Sequence, residues 1–188
     1  MAASLCIFAV LVMTLPCVFG YHYCNFDRLI PRDFDVGRFF GSWYEIERTE
    51  VKFGYYTFVS QTWGFLESYQ NMHDMKFYYA GRSIGHNCIR GSHELIHYIG
   101  APGRFIMQAT NNVFQVVDTD YNSYALVYIC YGQRLKHGHC LKSNLHVSLL
   151  KRHPSADFAE RDIIQHISNR CISRNDLFRA PEIASCRL

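Results

Sequence analysis

A chain of 188 residues suits one domain, and a content that is 49% hydrophobic and 15% aromatic can fill a core without a structural metal. Its 19 basic and 16 acidic side chains leave a formal charge of +3, which excludes strong attraction to nucleic acid or to anionic membranes. No repeat, low-complexity tract or linker divides it.

Residues 1–20, MAASLCIFAVLVMTLPCVFG, carry no charged side chain. The apolar run from Leu5 to Leu15, followed by Pro16 and the small Gly20, reads as a secretory signal peptide removed near Gly20. As a membrane anchor it is short, because about 20 apolar residues are needed to span a bilayer. No second such run occurs, so residues 21–188 are expected to be a single secreted, extracellular domain with no transmembrane segment. Loss of the leader removes Cys6 and Cys17 and leaves Cys24, Cys88, Cys130, Cys140, Cys171 and Cys186. An even set in a secreted chain reads as three disulfides, and spacing alone leaves their pairing open. With all six paired, no thiol remains as a nucleophile. The chain contains no N-x-S/T acceptor site.

Between residues 42 and 150 the sequence is a succession of short runs rich in Tyr, Phe, Val, Ile and Thr, broken by Gly, Asn or Pro. In order they are SWYEIER, YYTFVSQTW, MKFYYAG, HELIHYIG, RFIMQAT, VFQVVDTD, SYALVYICYG and NLHVSLLK. Short strands at this spacing indicate an all-β antiparallel barrel or sandwich of about eight strands. GAPG and YGQRLKHGHC read as hairpin connections. After Pro154 the period changes. SADFAERDIIQHISNRC offers Ser155 as N-cap, with Phe158, Ile163, Ile164 and Ile167 near the helical period. Glu160 and Asp162 early in it and Arg170 at its end suit the helix dipole. The remainder reads as a tail ending in Cys186.

One run carries a motif of a different kind. His93-Glu94-Leu95-Ile96-His97 matches H-E-x-x-H, with Gly100 also in the metzincin position. That pattern binds zinc only on a helix, where positions i and i+4 stack on one face. On a strand the two histidines lie about 13 Å apart, whereas bound metal–nitrogen distances are ~2.1 Å. Glu94 would face the other way, and Gly103 stands where the third ligand belongs. A strand therefore excludes the protease. His137 and His139 read as exposed loop histidines with weak capacity for metal. No metal site and no cofactor is expected.

Three stretches resemble the lipocalin family. FDVGRFFGSWYEIER carries Gly41 and Trp43 at the opening of the first barrel strand. VVDTDYNSYALVYIC carries Thr119, Asp120 and Tyr121 between two late strands. SLLKRHPS carries Arg152 just before the helix. All three occur in order and at family spacing. The cysteine set is similar to that of plasma retinol-binding proteins, while GSWYEIER is more like apolipoprotein D and the invertebrate pigment-binding lipocalins.

The resemblance implies an eight-stranded antiparallel up-and-down barrel with one C-terminal α-helix packed outside. It also implies Arg152 lying over Trp43 at a closed end, as a structural and not a ligand-binding pair. The implied disulfides are Cys24–Cys171, Cys88–Cys186 and Cys130–Cys140. The implied function is non-enzymatic carriage of a small hydrophobic ligand, of retinoid, fatty acid, sterol or pigment class. A cell-surface receptor or a carrier protein is the implied partner. Alternation along the strands, anchored by the family, gives Trp63, Phe77, Tyr79, Met107, Phe114, Val116, Val127, His146, Ser148 and Leu150 as the lining.

The chain departs from the retinol-binding pattern in two places. Phe77 and Tyr79 stand where those proteins have small alanines, and ATNNVFQ is a shorter connection. Neither retinol nor a transthyretin contact therefore carries over. Glu45 and Glu47 are expected to share the Trp43 face, where a buried carboxylate needs a partner. Two alternatives compete: an extracellular structural or protein-binding role with a filled barrel, and a lipocalin-type isomerase, which requires a free cavity thiol.

Overall fold

The structure is a computed structural model that describes residues 23–25, 31–49, 58–68, 73–83, 87–132, 139–153, 155–168, 172–180 and 186. The proposed leader, residues 1–20, lies outside them, as do Cys171 and His137.

In chain order the elements are β1 (Tyr23–Asn25), α1 (Val36–Phe39), β2 (Gly41–Thr49), β3 (Phe58–Glu67), β4 (Met75–Ser83), β5 (Cys88–His97), β6 (Arg104–Met107), β7 (Val113–Thr119), β8 (Tyr124–Cys130), β9 (His139–Leu141), β10 (Leu145–Lys151), α2 (Glu160–Ser168) and β11 (Leu177–Arg179). The eight strands β2 to β8 and β10 pair antiparallel, each with its neighbour, and β10 returns to pair with β2. The sheet thus closes, as expected for an up-and-down barrel, and closure removes the sheet edges that would otherwise invite aggregation. Each of the eight apolar runs falls on one of these strands.

Alternation divides the core into two layers. Inward residues such as Trp43, Phe65, Phe77, Phe105, Phe114 and Leu150 form one cluster inside the barrel. Outward residues such as Leu126, Val147 and Leu149 form a second cluster with Ile163 and Ile164 of α2, so the helix covers the barrel from outside.

Three features differ from the sequence expectation. The helix starts at Glu160 and not after Ser155. Phe158 is held in the outer layer, 5.3 Å from the ring of Tyr124, with the Lys151 ammonium 5.4 Å from its own ring. The chain reaches that anchor through a turn closed by Ala156 N–H on the carbonyl of His153, and this delays the first helical turn. The tail contains β11, which adds to β2 through the pairs Leu177–Thr49 and Arg179–Glu47. The connection from β8 to β10 is not a simple hairpin, because β9 leaves to pair with β1 and sets Cys24 opposite Cys140.

Strand β2 carries a bulge. Leu149 of β10 pairs with Glu47 and Leu150 with Glu45, so Ile46 is the extra residue. An inserted residue shifts the side-chain parity beyond it. Trp43 and Glu45 face inward, but past the bulge Arg48 faces inward, opposite Ser148, and Glu47 faces out. The expectation that Glu45 and Glu47 share one face is therefore corrected. Glu47 is buried beneath the C-terminal segment, where both its oxygens accept hydrogen bonds from Arg174.

Candidate ligand-binding site

One end of the barrel is sealed by residues of the three shared stretches. Asp35 caps α1 by accepting from Arg38 N–H. The helix sets Phe39 over Trp43, with ring centroids 5.1 Å apart, and Trp43 Nε1–H donates to the Phe39 carbonyl at 3.0 Å. The Arg152 guanidinium lies over the same indole, 3.8 Å from the ring centroid. Arg152 also donates to the carbonyls of Arg38, Phe40 and Tyr121.

Gly41 has φ +106°, a conformation that favours glycine, and a Cβ there would also crowd Arg152 Nη1 at 3.1 Å. Thr119 Oγ1 donates to the Tyr124 carbonyl and accepts from Tyr121 N–H. Burial alone would raise the Asp120 carboxyl. The backbone N–H groups of Ser123, Tyr124 and Asn122 outweigh that and hold it below the ordinary range. The Tyr121 hydroxyl accepts from Asp35 N–H, tying the turn to α1.

Above this seal the interior is first packed with rings. Phe39 to Phe65 is 4.9 Å between centroids, Phe65 to Phe77 5.2 Å, Phe65 to Phe114 5.5 Å and Trp63 to Phe77 5.1 Å. All ten residues expected to line a cavity lie on the inner face. Phe77, Met107, Phe114, Val116, Val127 and Leu150 belong to the inner cluster with Trp63, and Tyr79 packs against it. His146 stacks on Trp63, and Ser148 bonds to Glu45.

Farther from the seal the inner wall becomes accessible. Along β5 the inward positions are Leu95, His93 and Ile89, opposite Met75, Phe77 and Gly81. Leu95 is fully buried, while His93 and Ile89 are partly exposed. Tyr79, expected from its size to reshape a channel, does not cross the lumen. It is paired with Gly91, and its ring occupies the space that a side chain there would take.

A polar group sits on this wall. Ser148 Oγ donates to Glu45 Oε1 at 2.6 Å and lies 2.8 Å from His146 Nε2, and Arg48 Nη1 donates to Glu45 Oε2 at 2.8 Å. Burial alone would raise the Glu45 carboxyl. The hydrogen bond and charge of His146, the charge of Arg48 and the Ser148 bond together pull it below the ordinary value. Tyr131 packs against the inner cluster, its ring 6.4 Å from that of His146. Burial, then the Glu45 charge and Tyr79, push its hydroxyl up, so it stays protonated.

The H-E-x-x-H run is strand, not helix. His93 lies among rings, 5.9 Å from Tyr79 and 6.3 Å from Phe77, and burial lowers its pKa. His97 lies 5.8 Å from Phe105. Glu94, on the opposite face, takes a hydrogen bond from Ser68 and pairs with Lys76. Among the described residues no group of three or more His, Cys, Asp or Glu is placed to hold a metal ion.

Cys88–Cys186 and Cys130–Cys140 are disulfides. Cys24 is also disulfide-bonded, and its expected partner Cys171 lies outside the described residues. None of these five offers a thiol nucleophile.

Arg48, His93 and Tyr131 are inner-face residues absent from the sequence-derived set. For His93 the signal was present, since strand alternation from Leu95 selects it. Arg48 could be found only by knowing of the bulge.

No family model and no curated protein matches the chain. Among solved structures it is similar to the crystal structure of the major allergen Per a 4 from cockroaches. The TM-score is 0.59 and the identity 15%, over 80% of this chain and 92% of that one. The likeness is one of fold, and together with the closed eight-stranded sheet it identifies the architecture as a lipocalin-type barrel.

Proposed function

We propose that the protein is a secreted carrier that holds a small hydrophobic molecule inside the barrel, non-covalently, between the aromatic floor and the end opposite α1. The observation that carries this reading is the gradient along β5, from fully buried Leu95 to solvent-reached His93 and Ile89 on the same inner face. Solvent access to inward side chains on an apolar wall is what a small-molecule site requires. In this reading Trp63, Tyr79, His146 and Ser148 contact the ligand most directly. Phe77, Met107, Phe114, Val116, Val127 and Leu150 form the floor and lower walls. The ligand classes compatible with such a lining are retinoid, fatty acid, sterol and pigment. A cell-surface receptor or carrier protein is the partner class that a secreted carrier would meet.

The close ring packing of the lower half supports a second reading, a filled barrel with an extracellular structural or protein-binding role. Native mass spectrometry of protein secreted from cultured cells, kept non-reduced, separates the two. A dissociable organic adduct supports the carrier. A bare oxidised chain that also takes up no apolar fluorescent probe leaves the filled barrel.

A further inference from the structure

Among the described residues, two adjacent rings of the inner wall each hold a buried polar atom without a hydrogen-bond partner: Trp63 Nε1 and His146 Nδ1. Trp63 is 1% and His146 4% exposed, and their rings stack with centroids 6.2 Å apart and planes at 25°. A buried polar group left unbonded is unfavourable until something bonds it, so each calls for an explanation, of which a bound molecule is one.

The hydrogen positions follow from the neighbours. Ser148 has one hydroxyl hydrogen, and its 2.6 Å bond to Glu45 Oε1 uses it, because a carboxylate only accepts. At the 2.8 Å contact with His146 Nε2 the Ser148 oxygen is then the acceptor, so Nε2 carries the hydrogen. With a neutral imidazole, which the proposal requires, Nδ1 is then a bare acceptor. Trp63 Nε1–H can only donate. The wall therefore presents one donor and one acceptor on two stacked rings whose centroids are 6.2 Å apart. Glu45 and Arg48 already pair with each other, which leaves neither as a free counter-charge for an ionised ligand head.

Resting on the carrier reading, we infer that the ligand is an apolar molecule bearing a hydroxyl, which donates to His146 Nδ1 and accepts from Trp63 Nε1–H. The other heads each leave a mismatch. A carboxylate only accepts and meets the Nδ1 lone pair. An ammonium only donates and meets the indole N–H. An ether satisfies Trp63 and leaves Nδ1 orphaned. The polar atoms are closed over by neighbouring side chains, so entry of the hydroxyl displaces a neighbour such as Tyr131, whose ring lies 6.4 Å from that of His146, and quenches or shifts Trp63 emission.

The test is a matched series at neutral pH: decanol, decyl methyl ether, decanoic acid and decylamine, titrated against the full secreted chain by displacement of an apolar fluorescent probe. Decanol is expected to bind about tenfold more tightly than the ether or either ionised head. His146→Phe is expected to erase the alcohol-over-ether preference, and Trp63→Phe to weaken both alcohol and ether. The wild-type ranking alone decides the matter if either variant misfolds by circular dichroism. Equal binding of all four heads, or tightest binding of the acid, overturns the hydroxyl inference and leaves the carrier standing. Failure of every member and of the probe to bind overturns the carrier reading and the inference with it.

Discussion

The ring of Tyr79 lies where the side chain of Gly91 would be: a Cβ on Gly91 would sit 2.7 Å from Tyr79 Cε1 and closer still to the ring's far end. Across the β4–β5 pair the glycine makes room for the tyrosine to lie along the wall. Gly91→Ala is therefore expected to drive the ring off the wall. We expect a loss of about 1–3 kcal/mol in urea unfolding and weaker uptake of an apolar probe. Gly91→Ala with Tyr79→Ala should show a coupling that relieves part of the loss, as in a double-mutant cycle. Additive losses would mean that the ring does not depend on the glycine.

The seal makes a second prediction. Arg152 gives one cation–π contact and hydrogen bonds to the carbonyls of Arg38, Phe40 and Tyr121. Arg152→Ala should destabilise by roughly 2–4 kcal/mol in chemical denaturation. Arg152→Lys should recover little of this, because one ammonium cannot reproduce a planar fork over an indole. Probe binding at saturating ligand should change less than stability does.

The third concerns acid. Glu45 has its folded pKa held below the unperturbed 4.5 by His146, Arg48 and Ser148, against the opposing effect of burial. Below 4.5 the unfolded chain takes up this proton before the folded one does. The contribution is therefore fully present above that pH and is lost as pH falls through the folded value. Glu45→Gln should cost about 1–3 kcal/mol at neutral pH and flatten the loss of stability in the acid range. An unchanged acid profile in the variant would assign that loss to other carboxylates.

The disulfides allow a ranking. Cys88–Cys186 closes a separation of 98 residues and Cys130–Cys140 one of 10. In the chain-entropy account, replacing the first pair by serines should cost ~2 kcal/mol more than replacing the second. Urea midpoints of the two double variants under non-reducing conditions test this.

Strand positions were legible because alternation and turn residues are local signals, and all eight barrel strands were found from them. The inner face was legible for the same reason wherever alternation runs unbroken, as at Phe77 and Tyr79 or His146 and Ser148. It failed at Glu47, because a bulge is set by the register of β10 against β2 and leaves no mark in the residues of β2. The late start of α2 and the existence of β11 depend likewise on tertiary anchors, Phe158 on Tyr124 and Leu177 beside Thr49. The orphaned nitrogens of Trp63 and His146 were beyond reach of the sequence, since only packing shows which polar atoms lack partners.

The extra residue at Ile46 also sets the electrical balance of the lumen. With strict alternation, Glu45 and Glu47 would both look inward and Arg48 outward, giving an interior with two carboxylates and no cation from this strand. Like charges at that spacing would force one carboxyl to hold its proton, and the wall would favour cationic guests. The bulge exchanges the second carboxylate for a guanidinium, so the two charges that β2 turns inward cancel and the surplus acid is matched by Arg174 outside. Deleting Ile46 alone would therefore keep Glu47 outside and Arg48 inside; only drawing Ile46 into regular pairing with β10 would return the second carboxylate to the lumen.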